Sequence, residues 1–455
     1  MNARFAESIR IMFFIGLILM SACTATGNPA AREAAGSSPC SPGEDSCNVL
    51  QGYAGNSIDN AVSGATISGG GVRGSPNQVN GDYGTVGGGE GNLAGEGSTV
   101  AGGYSNTARY FHASVGGGAN NRAVAEEATV AGGLMNTASD RFATVGGGAL
   151  NAASDLNATV SGGSANSASD RFSTVGGGTQ NLASSVSAVV AGGNHNLAQG
   201  IYSSILGGIN NTAGSPGATV GGGAGNMASG SYAVIPGGFS NLAAGDFSFA
   251  AGRDAHVNAN HPGSFVFADS NRFVFPSLAP NEFAVRATGG VRFTTGIDGS
   301  GNPLAGVRLS AGSGSWESLS DVNAKAGFAP VNERQVLERL MTVPISTWYY
   351  RGQDSSIRHI GPTAQDFHAA FKVGQDGHYI SNVDEEGVAL AAIQELYRIV
   401  QGIPAQCIAP LPADQAQQKQ IASLERRTTF SNRLAVVSIM IAVLTLWRRK
   451  KETAG

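Results

Sequence analysis

Ser320 and Lys325, five residues apart, are the side chains of this sequence whose chemistry is easiest to specify. A serine hydroxyl is a weak nucleophile and attacks a peptide carbonyl only when a neighbouring base takes its proton. No histidine lies within 35 residues of Ser320, which leaves the lysine as the local base. An amine accepts a proton only in its uncharged form, and burial favours that form. The pair therefore predicts nucleophilic attack that depends on how the segment is folded and covered.

The spacing of the pair restricts that folding. On an ideal α-helix, residues five apart point about 140° away from each other, so Ser320 and Lys325 would not share a face. The segment must therefore bend, or the pair must be completed when chains assemble, and either would make cleavage wait for correct folding. The plainer alternative is an ordinary surface lysine and a serine that serves as a helix N-cap.

Two further strings follow the pair at a distance. They read HIGPTAQDFHAAF at 359–371 and DEEGVALAAIQELY at 384–397. Together with SDVNAK at 320–325, they resemble the endosialidase-type intramolecular chaperone found at the ends of phage tail spikes and of some bacterial surface proteins. The resemblance covers about 320–400. Residues 322–324 read Val-Asn-Ala where relatives often carry Arg-Asn-Leu, a departure that bears on the rate of cleavage.

The resemblance implies a domain that trimerises and guides the folding of the β-structure before it. It also implies that the domain then cuts the chain between Leu319 and Ser320, with Ser320 and Lys325 as the catalytic Ser–Lys dyad. Such an enzyme acts in cis on its own chain as an autocatalytic serine peptidase. His359 and Asp366 invite a triad interpretation, but a histidine beside an arginine at a strand–turn junction is typical of a structural role, and we assign neither a function.

The first half of the chain repeats [Thr/Ser]-Val-x-Gly-Gly-x-x-Asn-x-Ala every 15 residues. An Asn follows the aliphatic residue by six positions, and an Ala by eight. A period kept this strictly indicates a solenoid, with two short strands and two tight turns per repeat. The aliphatic members are Val100, Val115, Val130, Val145, Val160, Val175, Val190, Ile205, Val220 and Ile235.

We expect the aliphatic column to form a buried stripe and the Asn column to form a hydrogen-bonded ladder along the axis. Aromatic residues three positions before the aliphatic one are expected to join the stripe: Phe142, Phe172, Tyr202, Tyr232 and Phe247. A single coil of this size has little interior, so apolar surface would stay exposed. Closing three copies around one axis would bury it, which predicts a homotrimer.

The repeat also resembles the head domains of trimeric autotransporter adhesins, which are left-handed parallel β-rolls. This implies a left-handed fold and a ligand on a host or cell surface. The alternative is a monomeric solenoid spacer without a ligand. A calcium-binding β-roll needs an Asp after its glycines, and the chain has Asn, Leu or Ala there, so no metal is expected. A flat ligand face on the Thr column is disfavoured because Val189, Val234 and Phe249 interrupt it.

Composition narrows the class of protein. Only 13% of the 455 residues are charged, about half the usual share, and the net charge is −4. A near-neutral chain without a basic patch gives no reason to expect nucleic acid as a partner. The repeats hold no recurrent carboxylate pair, metal cluster or phosphate-binding loop. We therefore expect no cofactor and no activity on a separate substrate.

The N-terminus predicts export. Residues 1–23 combine a short basic region with an apolar run that ends at Cys23, which is typical of a signal peptide. The ending resembles a bacterial lipobox and implies lipidation of Cys23, with ordinary signal cleavage as the alternative. In an oxidising compartment, Cys40 and Cys47 could pair across their short loop. Residues 24–60 are rich in Ala, Gly, Ser and Pro and predict a flexible tether.

The C-terminus predicts membrane attachment. After a linker and a coiled-coil helix at 404–429, residues 430–448 are apolar enough for a transmembrane helix. Trp447 and the basic tail at 449–455 are typical of a cytoplasmic interface anchor. An amphipathic or coiled-coil tail is the alternative.

The chain as a whole is predicted to be mainly β, with a left-handed parallel β-roll or β-solenoid, an α+β chaperone and autoprotease domain, and a C-terminal helix. The boundaries are a head at 61–255, a β-rich stalk at 256–319 and the chaperone at 320–403. The leading hypothesis is a trimeric, adhesin-like or tail-fibre-like protein anchored in the bacterial cell envelope and matured by self-cleavage. The rivals are a passive surface stalk and a device that releases its β-roll by cleavage.

Overall fold

The computed structural model describes residues 46–402 and 419–428, with Ser431, Ala435 and Ser438. The chain divides into two units at Gly290 and Val291. The first unit is a parallel β-solenoid of about 16 turns, and the second is a small β/α region with helices, which confirms the predicted fold class. The predicted signal peptide, Cys23, Cys40, the basic tail and nearly all of the 430–448 segment lie outside the described residues.

Two parallel ladders of very short strands build the solenoid. The first ladder has 17 strands: Val49–Leu50, Thr66–Ile67, Thr85–Val86, Thr99–Val100, Ser114–Val115, Thr129–Val130, Thr144–Val145, Thr159–Val160, Thr174–Val175, Val189–Val190, Ser204–Ile205, Thr219–Val220, Val234–Ile235, Gly238–Phe239, Phe249–Arg253, Phe265–Ala268 and Phe283–Arg286. The second ladder has 15: Ser57–Ile58, Gln78–Val79, Leu93–Ala94, Thr107–Ala108, Arg122–Ala123, Thr137–Ala138, Ala152–Ala153, Ser167–Ala168, Leu182–Ala183, Leu197–Ala198, Thr212–Ala213, Met227–Ala228, Leu242–Ala243, Ala255–Val257 and Phe275–Pro276.

The 15-residue period sets the register of these ladders. Val130 pairs with Val145 and Ala138 with Ala153, so like residues stack on each other. Isolated parallel β-bridges between successive turns, such as the one from Ala149 to Ser164, form a third side of the solenoid. The pairing begins at Val49–Leu50, inside the segment assigned above to the tether, and continues to Phe283–Arg286, beyond residue 255. The turns at the two ends of the solenoid do not follow the repeated sequence motif, so the sequence did not predict them.

The corners of each turn require left-handed backbone. Gly148 has a φ of 85°, and a Cβ there would lie 2.1 Å from the Gly163 carbonyl oxygen of the next turn. This position therefore accepts only glycine. Two other corners per turn place non-glycine residues at positive φ, for example Phe142 and Leu150.

The core of the solenoid lies between the ladders of a single chain. The aliphatic column, including Val130, Val145 and Val160, is fully buried, and so is the Ala column of the second ladder. The prediction that this stripe needs three chains to cover it is therefore wrong. Small residues explain the difference: with Ala and Asn opposite Val, the two sheets approach closely enough to exclude water without a partner.

The Asn column forms the expected ladder along the axis. The Oδ1 atom of Asn136 accepts the backbone N–H of Asn151 at 3.0 Å. Its Nδ2 atom donates to the carbonyls of Gly132 and Gly148 at 2.8 and 2.9 Å. Because one buried amide satisfies three backbone groups at a corner, it holds successive turns together.

The aromatic residues three positions before the aliphatic column lie outside the core, and the prediction that they join the buried stripe is wrong. Phe172 is 52% exposed and Tyr202 is 70% exposed. Both occupy left-handed corners, where the chain turns away from the interior and the side chain projects to solvent.

The second unit starts with a three-stranded antiparallel sheet and continues into a helical part. We number its elements separately. The strands are β1 (Val291–Ile297), β2 (Pro303–Leu309), β3 (Trp316–Ser318), β4 (Ser346–Trp348) and β5 (His359–Gly361), and the helices are α1 (Glu333–Leu340), α2 (Ala364–Phe371) and α3 (Asn382–Gln401). A 3-10 turn at Val322–Ala324 follows β3. Residues 419–428 are also helical.

Among the described residues, no helix is both long and apolar enough to cross a membrane, and no cluster of His, Cys, Asp and Glu could hold a metal ion. Cys47 is disulfide-bonded. The other three cysteines of the sequence lie outside the described residues, so the Cys40–Cys47 pairing stays a prediction.

Candidate functional site

The 3-10 turn between Ser320 and Lys325 brings the two side chains together. Asp321 starts the turn, because its Oδ1 atom accepts the backbone N–H of Asn323 at 2.7 Å. The turn ends at Lys325, whose backbone returns to the extended region. The Nζ atom of Lys325 consequently lies 2.6 Å from the Oγ atom of Ser320. The bend expected from the five-residue spacing is therefore present within a single chain.

The capping role proposed as an alternative for Ser320 belongs to Asp321, so that alternative is wrong. Ser320 is free to interact with Lys325 instead. Both side chains are exposed in the single chain. Their contact thus supplies the geometry of a nucleophile and base, while the burial that favours an uncharged amine has to come from another surface.

The residue before Ser320 is held by the sheet. β3 pairs with β2 through Ser318 opposite Val307, and the Leu319 N–H donates to the Gly306 carbonyl at 3.0 Å. The Leu319–Ser320 peptide bond therefore lies directly at the end of an ordered edge strand. A Cβ on Gly306 would lie 2.3 Å from the Phe293 carbonyl oxygen of β1, so only glycine allows this close approach of the strands.

A cross-strand ion pair fixes β3 two residues before that bond. The Nε atom of Arg308 lies 2.5 Å from a carboxylate oxygen of Glu317, and the Ser310 hydroxyl donates to the same group. The hydrogen bond from Arg308 lowers the pKa of the Glu317 carboxyl below its ordinary value. The pair is thus charged at neutral pH and keeps β3 in register with β2.

A cleft of about 350 Å³ opens beside the Leu319–Ser320 bond. Its lining mixes apolar atoms of the sheet with the Arg308–Glu317 pair, and its residues include Phe293, Pro303, Val307, Ser318, Leu319 and Ser320. Apart from Ser320, every residue that lines the cleft precedes the Leu319–Ser320 bond in the sequence. The three-stranded sheet therefore forms the surface of the cleft beside this bond.

His359 and Asp366 have structural partners. The Nε2 atom of His359 lies 2.9 Å from the Gln353 side-chain oxygen, and its ring stacks on Trp348. Asp366 lies in the first turn of α2, where its carboxylate accepts the hydroxyl hydrogen of Thr363 at 2.7 Å. Both side chains therefore have partners within the fold of the second unit.

The helical part is held together by α1 and α3. Arg398 of α3 donates to Glu333 of α1 at 3.2 Å, which lowers the pKa of the Glu333 carboxyl. Val388, Ala391 and Ala392 of α3 are partly or fully buried, as expected for the face that packs on α1.

The opposite face of α3 is apolar and uncovered. An α-helix turns by 100° per residue, so residues three or four positions apart lie on the same face. This face of α3 carries Leu390, Ile393, Tyr397 and Val400, which are three, four and three residues apart. Leu390 is 63% exposed and Tyr397 is 65% exposed. This spacing is that of the apolar seam of a coiled coil, and we call these four residues the α3 seam.

Residues 320–373 match the family model described as chaperone of endosialidase. Comparison with curated proteins gives no match. The match begins at Ser320, the residue on the C-terminal side of the predicted cut. The chain thus joins a β-roll to an endosialidase-type chaperone domain. This domain is the class of folding module that was expected for a tail-spike-like or adhesin-like protein.

Sequence analysis found the Ser–Lys pair but missed the residues that present the bond. Gly306, Arg308 and Glu317 lie in β2 and β3, inside the segment that was predicted only as a β-rich stalk, so neither these strands nor their register was predicted. A bulge between Thr294 and Ile297 also shifts the register of β1 against β2, and it has no simple sequence signal.

Proposed function

We propose that the chaperone domain assembles three chains and then cuts each one between Leu319 and Ser320, with Ser320 as nucleophile and Lys325 as base. The 2.6 Å contact between Lys325 Nζ and Ser320 Oγ is the observation that carries this proposal. A serine peptidase that acts only on its own chain needs no substrate-binding site beyond the strand that presents the bond.

The chemistry follows from the position of Ser320 beside the bond that is cut. The uncharged Lys325 amine takes the proton of the Ser320 hydroxyl, and Oγ attacks the Leu319 carbonyl carbon. The C–N bond breaks, the lysine returns its proton to the leaving Ser320 nitrogen, and Leu319 is held as an ester on Oγ. Water then hydrolyses the ester and leaves a Leu319 carboxylate and a free Ser320 hydroxyl.

Assembly would supply the burial that this chemistry needs. Lys325 is exposed in one chain, and a protonated lysine cannot act as a base. The α3 seam offers a surface for three copies to pack on, since a helix that is apolar on two opposite faces is stable only when both are covered. Cleavage would then follow trimer formation and mark a correctly folded product.

The solenoid would be the mature, adhesin-like part, displayed from the bacterial cell envelope. Support for this location comes from the signal peptide and the apolar C-terminal segment that the sequence predicts. Three parallel rods would bind a surface ligand with avidity. If both ends are anchored, the cut would separate the solenoid from the membrane-bound chaperone.

Expression of the full chain tests the proposal. Intact mass and N-terminal sequencing should show a new terminus at Ser320, and Ser320→Ala and Lys325→Ala should each leave the chain uncut. Ser318→Ala, at the last residue of β3 and two residues before Ser320, is the matched control and should be cut as the parent is. An uncut parent chain in a folded trimer would rule the proposal out.

A further inference from the structure

One corner of the solenoid carries a regular row of rings. Its members are Tyr83, His112, Phe142, Phe172, Tyr202 and Tyr232, which we call the aromatic corner. All six have a φ between 55° and 59° and project outward, and the Phe and Tyr members are 37% to 70% exposed. Exposed rings in such number on one edge of a solvent-facing surface indicate a binding site rather than a core.

The row repeats every second turn. The corners between its rings carry small or polar residues with the same left-handed backbone: Gly97, Glu127, Asn157, Ser187 and Gly217. Turns are about 4.8 Å apart, so neighbouring rings of the row are about 9.6 Å apart and the six span about 48 Å. The structure thus repeats one local environment at every second turn of the solenoid.

The alternation has a packing reason. A Cβ on Gly217 would lie 2.6 Å from the Tyr232 ring, and one on Gly97 would lie 2.7 Å from the His112 ring. Each ring therefore lies back over the corner of the preceding turn, which favours a small or polar residue there. The alternation ends after Tyr232, where Phe247 of the next turn stacks on its ring at 5.6 Å. Up to that point, the result is a ridge at every second turn with a shallow, polar gap between ridges.

The charge around the row excludes an anionic partner. Carboxylates outnumber arginines in the corner segments: Asp82, Glu96, Glu126, Glu127, Asp140, Asp155, Asp170 and Asp246 lie there with Arg109, Arg141 and Arg171. A polyanion or an anionic membrane surface would be repelled. Carboxylates and aromatic rings together suit a neutral partner that offers hydroxyl donors and C–H surfaces.

We infer that the aromatic corner binds a linear, uncharged β-linked polysaccharide laid along the solenoid. In an extended β-1,4-linked polymer, each sugar is flipped relative to the one before it, so the polymer repeats every two sugars. The length of this repeat is close to two turns of the solenoid. Each aromatic ridge would contact one sugar of the pair, and the polar gap would bond hydroxyls of the other. Many weak equivalent contacts along one polymer give useful affinity by multivalency.

This inference rests on the adhesin-like part of the proposed function but not on cleavage. The test therefore uses the full chain carrying Ser320→Ala, with insoluble cellulose and chitin and with cello- and chito-oligosaccharides of increasing length as probes, and with heparin as the anionic comparison. Phe172→Asn, Tyr202→Asn and Tyr232→Asn are combined, because Asn157 shows that Asn is accepted at this corner. The matched control combines Tyr104→Ser, Leu134→Ser and Ile209→Ser, exposed residues of another side where Ser164 occurs naturally.

The parent and the control should be retained on cellulose or chitin, with affinity for the oligosaccharides rising in steps of two sugars. The aromatic variant should bind on the order of tenfold more weakly or worse, with an unchanged melting curve. Four outcomes would overturn the inference: no retention of the parent, equal binding by the aromatic variant, preference for heparin over neutral polymers, or loss of self-association instead of polysaccharide binding in the variant.

Discussion

The two units of this chain differ in how they bury apolar surface. In the solenoid, the Val and Ala columns are fully buried within one chain. In the second unit, Val343, Phe367 and Ala392 are the only buried hydrophobic residues among those the structure describes, while α3 exposes a complete apolar seam. The solenoid therefore forms its core within one chain, whereas the second unit leaves apolar surface exposed, and this surface is the one that the proposed trimer would cover.

This distribution of buried surface is the reverse of the one expected from the sequence. The trimer was predicted because the valine stripe was expected to be uncovered in one chain. The stripe is covered, so the case for three chains moves to α3 and to the exposed Ser320–Lys325 pair. Variants that change one unit and leave the other unchanged test this difference.

The largest effect is expected inside the solenoid. Asn151→Ala would leave the Gly147 carbonyl and the Asn166 N–H without partners in a buried site. The Gly163 carbonyl would lose one hydrogen bond and keep the one from the Ala149 N–H. At about 1 kcal/mol or more for each of the two unsatisfied groups and about 1 kcal/mol for the third lost hydrogen bond, the loss of stability should be about 3 kcal/mol. Thermal unfolding followed by circular dichroism measures it, with Ser154→Ala, on the exposed side of the same turn, as control. Equal melting of both variants would show that the Asn ladder contributes little.

An intermediate effect is expected on assembly. Leu390→Asp combined with Ile393→Asp places charge in the α3 seam and should weaken association of the full chain by about 10²-fold or more. Sedimentation velocity would show monomers, while the β-sheet signal of the solenoid persists. Gln394→Ala, at an exposed α3 position outside the seam, is the control and should leave association unchanged. Unchanged trimers in the double variant would mean that the solenoid holds the chains together.

The smallest effect concerns the Glu333–Arg398 pair that joins α1 to α3. Because folding lowers the pKa of Glu333, the pair stabilises the helices at neutral pH and loses this contribution as the pH falls through the carboxyl range towards the lowered pKa. Arg398→Gln should therefore lower the melting temperature of the helical part slightly at pH 7 and by a smaller amount at pH 3.

The control for the pair is Arg334→Gln, which removes a partner of Glu338 within α1 and leaves the contact between the helices intact. A difference between Arg398→Gln and the parent that grows as the pH falls would contradict this account.

The repeat architecture could be predicted because every turn of the solenoid carries its own copy of the repeated motif. The sequence did not predict which side chains of each turn point into the core. Phe142 and Val145 are three residues apart, and the left-handed corner between solvent and strand sends the ring outward. The spacing of the sequence identifies which residues stack on each other in successive turns. It does not identify which corner residue adopts a left-handed backbone and points its side chain away from the core.

At the site, the types and spacing of Ser320 and Lys325 predicted that the backbone must bend. The bend depends on Asp321, whose cap on a short 3-10 turn is a local signal that could have been recognised. The placement of Leu319 beside β2 depends on its hydrogen bond to Gly306 and on the pairing of β3 with β2, contacts between strands that no local pattern specifies.

The coupling of assembly to cleavage tests the account most directly. The full chain, the Leu390→Asp and Ile393→Asp variant, and Ser320→Ala would be expressed in parallel, and intact mass and oligomeric state would be measured for each. The account predicts a cut between Leu319 and Ser320 in the parent, an uncut trimer for Ser320→Ala, and an uncut monomer for the seam variant. A monomeric seam variant that is cut as completely as the parent would contradict it.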